Sequence, residues 1–145
     1  MVSSTPTRQL TNAAEAFAAI ALAAVACDGE LAALEARGLR QQLEYRQPYC
    51  TYTDLAMADL LDRLLQIVRE QGCEALVLQA APLLQPHQRE TALAVAADLT
   101  RADHIETSTE HRFLRELADQ LAIQPERSAQ ILEVIALLNS DSLAG

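Results

Sequence analysis

The stretch EAFAAIALAAVACDGELAALEARGLR, residues 15–40, decides the fold of this chain because its pattern occurs twice. The second copy, residues 90–115, reads ETALAVAADLTRADHIETSTEHRFLR. In each copy an Ala-rich apolar run leads to an Asp, and a Glu follows seven residues later in a second, Arg-bearing run. We therefore predict a duplicated helix–turn–helix. An overlay without gaps pairs Glu15/Glu90, Asp28/Asp103, Glu35/Glu110, Arg37/Arg112, Leu39/Leu114 and Arg40/Arg115.

Composition restricts the class of protein. The chain has 145 residues, half of them apolar, which is enough for one domain with its own core. Its net charge is −9 and no cluster of Lys and Arg stands out. Nucleic acids and anionic membrane surfaces are therefore poor partners, and small cations or basic proteins fit better.

Apolar residues recur at intervals of three and four, and there are only four Gly and five Pro, so the chain is predicted to be all-α. Residues 1–10 form a flexible lead, 11–140 one helical domain and 141–145 a loose C-terminus. The two Ala-rich helices are predicted to be a closely packed central pair about a pseudo-twofold axis. The segment RQPYCTYT, residues 46–53, indicates an aromatic cap over the core, with a docking surface as the alternative. Seven helices are predicted near 11–27, 32–46, 53–70, 74–82, 86–102, 107–122 and from 125 onward.

The cysteines at 27, 50 and 73 form no C-x-x-C pair, and an odd count does not favour a secreted disulfide framework. We interpret them as small buried apolar residues. The N-terminus carries no basic segment followed by an apolar one, and the apolar run ending at Cys27 is too short to cross a bilayer. A cytoplasmic protein is expected.

The acidic residues at the two turns are the main candidates for function. A helix–turn–helix brings the closing Asp of one helix near the first-turn Glu of the next, and each connecting loop adds another Glu. Carboxylate clusters suit hard cations, so Ca²⁺ or Mg²⁺ is expected before Zn²⁺. The alternative is structural, since a first-turn Glu favours the helix dipole and the recurring Arg residues offer ion pairs. The candidate ligands are Asp28, Glu30 and Glu35 in the first turn and Asp103, Glu106 and Glu110 in the second.

The histidines suggest a lesser alternative. His104 and His111 flank the second acidic turn beside Glu110, which makes a zinc site and a small metalloenzyme conceivable. The first copy has no histidine at these places, so surface histidines are the preferred interpretation, and His87 is given no role. No nucleophile–base pair or Gly-rich phosphate loop is present, and the chain is not expected to be an enzyme.

Two segments, AAVACDGELAALE (23–35) and DLTRADHIETSTEHRFLRELADQLAI (98–123), resemble the TerB-like proteins, a helical family named for bacterial tellurite resistance. The resemblance covers residues 12–138. It implies a seven-helix domain with an internal pseudo-twofold, divalent cations held by clustered acids, and a role in tellurite and stress responses. It also implies a protein partner, as yet unidentified, and allows a homodimer. His104 stands where the family has Gly, so the second turn departs from the usual Asp-Gly-Glu pattern.

The residues carried over by position are Asp28, Gly29, Glu30, Glu35, Asp103, Glu106 and Glu110. The predicted function is thus a divalent-cation-binding interaction module. A metal-free structural interaction domain is the alternative.

Overall fold

A computed structural model of the protein describes residues 9–27, 31–100 and 108–143, leaving aside the side chains of 108–110. Over these ranges the chain is helical and contains no β-strand, so the all-α prediction is confirmed. Short 3₁₀ turns occupy Tyr49–Thr51 and Ala81–Leu83. The helices are α1 (Ala13–Val25), α2 (Ala33–Glu44), α3 (Asp54–Gln71), α4 (Cys73–Ala80), α5 (Pro86–Thr100), α6 (Ser108–Gln120) and α7 (Pro125–Leu138).

Local signals set most helix ends. The Asn12 side chain accepts a 2.8 Å hydrogen bond from the Glu15 backbone N–H at the start of α1, and Thr53 caps α3 in the same way at 3.0 Å. Gly72, at φ 94°, separates α3 from α4 in a conformation that other residues adopt only with strain. The expectation that α1 runs to Cys27 is wrong by two residues, because Ala26 already leaves the helical region at φ −139°.

The centre of the fold is the pair α1 and α5, as predicted. α1 packs most extensively against α5 and, on another side, against α4. Many of the buried side chains of both helices are alanines, and small side chains allow helix axes to approach closely. α2 packs on α1 and α6 packs on α5, so each central helix carries its own flanking helix. The fully buried alanines of the pair are Ala16, Ala18, Ala19, Ala21 and Ala23 in α1 and Ala92, Ala96 and Ala97 in α5.

The outer helices bury apolar stripes to different extents. The apolar residues that recur at intervals of three and four along α3 form one buried stripe. On α7, Ile131, Leu132 and Ile135 are half-buried, whereas Leu138 is 71% exposed. The α3 stripe consists of Met57, Leu60, Leu61, Leu64, Leu65 and Val68.

The aromatic cap covers the start of α1. Tyr49 is buried, and its ring lies 6.4 Å from that of Phe17 and 5.6 Å from that of Tyr52. The Tyr49 hydroxyl donates a hydrogen bond to the Ala14 carbonyl oxygen, and burial raises the pKa of this phenol well above its usual value. Tyr45, in contrast, is exposed and takes no part in the cap.

The duplication reaches further than the two helix–turn–helix segments. Glu15 of α1 forms an ion pair with Arg63 of α3 at 2.8 Å, and the matching Glu90 of α5 pairs with Arg127 of α7 at 3.1 Å. Leu39 and its counterpart Leu114 are both buried in the core. Each half is therefore a three-helix unit in which the repeated Glu joins the first helix to the third.

Candidate functional site

The first acidic turn lies between two packed helices. α1 ends at Val25, α2 begins at Ala33, and the two helices contact each other. Glu35 is exposed in the first turn of α2, where no side-chain cap precedes it at Ala32. Asp28, Gly29 and Glu30 lie outside the described residues.

The second acidic turn lies between α5, which ends at Thr100, and α6, which begins at Ser108. Asp103, His104 and Glu106 lie outside the described residues. Glu110 belongs to α6, but its side chain is likewise outside the description. Of the six predicted ligands, only the side chain of Glu35 therefore has a described position. Among the described residues, no three His, Cys, Asp or Glu side chains are grouped so that they could hold a metal ion.

Asp98, the acid nearest to the second turn on its helix, has amide partners. One carboxylate oxygen accepts a hydrogen bond from Nε2 of Gln42, and the other accepts a 2.8 Å bond from Nδ2 of Asn139. These donors come from α2 and from the end of α7. Asp98 is therefore a junction between three helices.

Glu15 shows how a repeated acid of this chain can be structural. Burial alone would raise the pKa of this carboxyl, but hydrogen bonds from the Arg63 guanidinium and from the backbone and hydroxyl of Thr11 outweigh it. The net result is a pKa below the ordinary 4.5. The neighbouring Glu15 charge in turn raises the pKa of Arg63.

The repeated arginines were expected to offer partners to the acidic turns. Arg40 instead donates to Asp54, at the start of α3, with a distance of 2.9 Å from Nη2 to Oδ1. Its Nε lies 3.7 Å from the Glu44 carboxylate one turn further along α2. For Arg40 the described contacts thus fasten α2 to α3.

A disulfide joins Cys27 and Cys73, and the sequence interpretation missed it. It connects the residue before Asp28 to the first residue of α4, with Cα atoms 5.2 Å apart. The interpretation of the cysteines as small buried residues is wrong, since Cys27 and Cys50 are exposed and Cys73 is only half-buried. Because the bonded cysteines lie 46 positions apart in the sequence, no pattern of local spacing indicates the pair.

A surface cavity of about 530 Å³ opens beside this disulfide. Both cysteines line it, together with Phe113 of α6. Three acidic side chains also line it: Glu74 of α4 and Glu116 and Asp119 of α6. The cavity is therefore an acidic recess with a sulfur pair in its wall.

The histidines lie on the surface where they are described. His87, at the start of α5, and His111, on α6, are both exposed, as the preferred interpretation expected. The zinc alternative needs His104 and Glu110 as well, and the described side chains do not include them.

No protein-family model, curated protein or solved structure matches the chain. The resemblance to the TerB-like proteins accordingly stays a prediction. Within the described residues, no helix is both long and apolar enough to cross a membrane.

Proposed function

We propose that the protein is a TerB-like interaction module that binds a divalent cation through its acidic turns, with tellurite and stress responses as its setting. The first turn is the principal site and Ca²⁺ or Mg²⁺ the expected ion. The ligands are Asp28, Glu30 and Glu35, while Asp103, Glu106 and Glu110 form a second, less regular site. The bound ion controls contact with a protein partner.

One observation carries this proposal: the exposed carboxylate of Glu35 at the start of α2. Only seven residues, 26–32, connect α1 to α2, and two of them are acidic. Because this connection is short, the proposal requires Asp28 and Glu30 to reach the same end of the helix pair as Glu35. Carboxylates collected in this way repel one another by a few kcal/mol at an effective dielectric near 20, and a divalent cation relieves the repulsion.

The competing proposal is a metal-free interaction domain. A carboxylate in the first helical turn stabilises its helix by about 0.3–1 kcal/mol through the dipole alone, which accounts for Glu35 without any ion. The contacts of Glu15 support this alternative, since that repeated acid is held by Arg63 and Thr11. The two proposals differ in their response to cations.

A titration with Ca²⁺, Mg²⁺, Mn²⁺ and Zn²⁺, followed by thermal unfolding and calorimetry, decides between them. A cation that binds only the folded state adds about 2.7 kcal/mol of stability at a hundredfold excess over its dissociation constant. We expect such a gain with Ca²⁺ or Mg²⁺. No gain with any of the four ions at millimolar concentration would establish the metal-free alternative.

Substitutions then locate the site. Asp28→Asn with Glu35→Gln should remove most of the cation-dependent gain, and Asp103→Asn with Glu110→Gln the remainder. Glu126→Gln is the matched control, because Glu126 is also an exposed first-turn acid, in α7, and its loss costs only the dipole contribution. Binding that survives all four changes would show that these acids are not the ligands. A response to Zn²⁺ alone that His104→Ala removes would favour the small metalloenzyme.

A further inference from the structure

The Cys27–Cys73 disulfide is reachable from solvent. Cys27 is exposed, Cys73 is half-buried, and both line the acidic recess. The Cα separation of 5.2 Å lies within the range usual for disulfides, so the bond can form and break without moving the helices apart. A volume of about 530 Å³ admits a small thiol beside the sulfurs.

The two sulfurs differ in their surroundings. Cys73 is the first residue of α4, and Gly72 before it has no side chain with which to cap the helix. The unpaired backbone N–H groups and the positive end of the helix dipole favour a thiolate at that position. Cys27 follows the C-terminal end of α1, and its Sγ lies 2.7 Å from the Ala23 carbonyl oxygen. Cys27 is also the more exposed of the two residues, so its sulfur is the easier one for an incoming thiol to reach, whereas Cys73 lies at the N-terminus of a helix.

This difference sets the direction of exchange. In thiol–disulfide exchange, the sulfur that best carries negative charge leaves fastest. An incoming thiolate is therefore expected to bond to Cys27 and to expel Cys73 as the thiolate.

The charge of the recess selects the incoming molecule. Glu74, Glu116 and Asp119 line the same recess as the two sulfurs, and the whole chain carries −9. The attacking thiolate of glutathione has a net negative charge and is repelled, whereas the thiolate of an aminothiol is a zwitterion without net charge and is not repelled. From charge–charge energies near the Debye length, the discrimination should be on the order of tenfold at low salt.

We propose that Cys27 and Cys73 form a thiol-exchange site for small cationic or neutral thiols, with Cys27 as the sulfur attacked and Cys73 as the leaving group. One thiolate bonds to Cys27 while the Cys27–Cys73 bond breaks, and the electron pair goes to Cys73. A second thiolate attacks the small thiol's sulfur in this mixed disulfide, which releases Cys27 as a thiolate and forms a small-molecule disulfide. Two small thiols are thus oxidised and one protein disulfide is reduced. The reverse reaction consumes a small disulfide, and neither direction depends on cation binding.

The rate test uses the full chain with Cys50→Ser, which removes the exposed third thiol, beside the unaltered protein. The rate at which cysteamine or glutathione reduces the Cys27–Cys73 bond is measured at low salt. Each rate is divided by the concentration of the thiolate form of the reducing agent. We expect cysteamine to be about tenfold faster. Equal rates, or faster reduction by glutathione, would overturn the selectivity. In the reverse direction, the reduced chain is incubated with cystamine. If Cys27 and Cys73 both remain free thiols, the proposal of an exchange site is overturned.

Two triple variants distinguish the effect of the recess carboxylates on the rate ratio from the effect of the net charge of the chain. Glu74→Gln, Glu116→Gln and Asp119→Asn together should bring the ratio of the two rates close to one. Asp62→Asn, Glu126→Gln and Glu133→Gln change the net charge equally on exposed faces of α3 and α7, and should keep most of the ratio. The same loss in both variants would show that net charge alone discriminates.

The direction of attack is read by trapping. Iodoacetamide is added during reduction by cysteamine, and peptides are analysed by mass spectrometry. The proposal requires cysteamine on Cys27 and the alkyl group on Cys73. The opposite distribution would overturn the assignment of the leaving group.

Discussion

At the scale of single residues, two acids that occupy equivalent places in the repeat have partners of the same kind at different distances along the chain. Glu15 and Glu90 recur in register because each anchors its helix to an arginine of a later helix. The sequence overlay located these two acids. It could not identify their partners, because Arg63 lies 48 residues after Glu15 and Arg127 only 37 after Glu90. A contact across such unequal distances depends on how the helices pack, which no spacing rule encodes.

Glu15→Gln should weaken the fold at neutral pH and flatten its response to acid. The loss at pH 7 should be about 1–2 kcal/mol, at the lower end for a hydrogen bond to a charged partner because the Arg63 side chain is half-exposed. Because the folded-state pKa of Glu15 is lowered, its contribution is present above pH 4.5 and disappears as the pH falls below it. Urea unfolding between pH 3 and pH 7 measures both effects, and Glu133→Gln, an exposed acid, is the control. If the free energy of unfolding depends on pH in the same way in the variant and the wild type, Glu15 does not stabilise the fold through its charge.

At the scale of helices, the ends that are set by local chemistry were predictable and the others were not. Asn12, Thr53, Gly72 and the first-turn prolines act on backbone groups a few residues away, so their patterns could be read directly. The pairing of Cys27 with Cys73 depends on the approach of α4 to the end of α1, which occurs only in the folded chain. For that reason no pattern of local spacing could reveal the disulfide.

The C-terminal end of α6 illustrates a local rule with an unusual residue. Ala122 adopts φ 58°, and the N–H of Ile123 donates to the Ala118 carbonyl oxygen, the pattern that usually places Gly at the Ala122 position. We expect Ala122→Gly to stabilise the protein by about 0.5–1 kcal/mol, because the left-handed strain of alanine exceeds the entropy cost of glycine. Thermal and urea unfolding measure the gain. Ala129→Gly, at an exposed helical position in α7, should instead cost about 0.5–1 kcal/mol, and a loss in both variants would refute the cap.

At the scale of the whole molecule, the central helix pair was the most predictable feature. Alanines repeated along α1 and α5 are informative because small side chains favour close helix contact, and the two helices do pack most extensively against each other. The relative placement of the acidic residues was less accessible to sequence analysis. It follows from loop geometry between helices, and for Asp28, Glu30, Asp103 and Glu106 it stays a prediction.

The buried alanines of α1 and α5 predict that the core has no room for larger side chains at these positions. Ala21→Leu and Ala96→Leu should each destabilise the protein by about 1–3 kcal/mol, because both positions are fully buried and the added atoms overpack the core. Ala129→Leu makes the same change on the exposed side of α7 and should alter stability by less than about 0.5 kcal/mol. Urea unfolding compares the three. Similar values for buried and exposed positions would show that the central contact is loosely packed.

An alanine interface is smooth, and a smooth surface fixes the distance between helices better than it fixes their position along one another. Asp98 supplies the missing constraint, because it accepts hydrogen bonds from Gln42 of α2 and from Asn139 beyond α7. Hydrogen bonds are directional, so a shift of any of these helices by one residue would leave a half-buried carboxylate without its donors. This acid next to the second turn therefore fixes the register of the helices, and the chain gains a single native alignment from it.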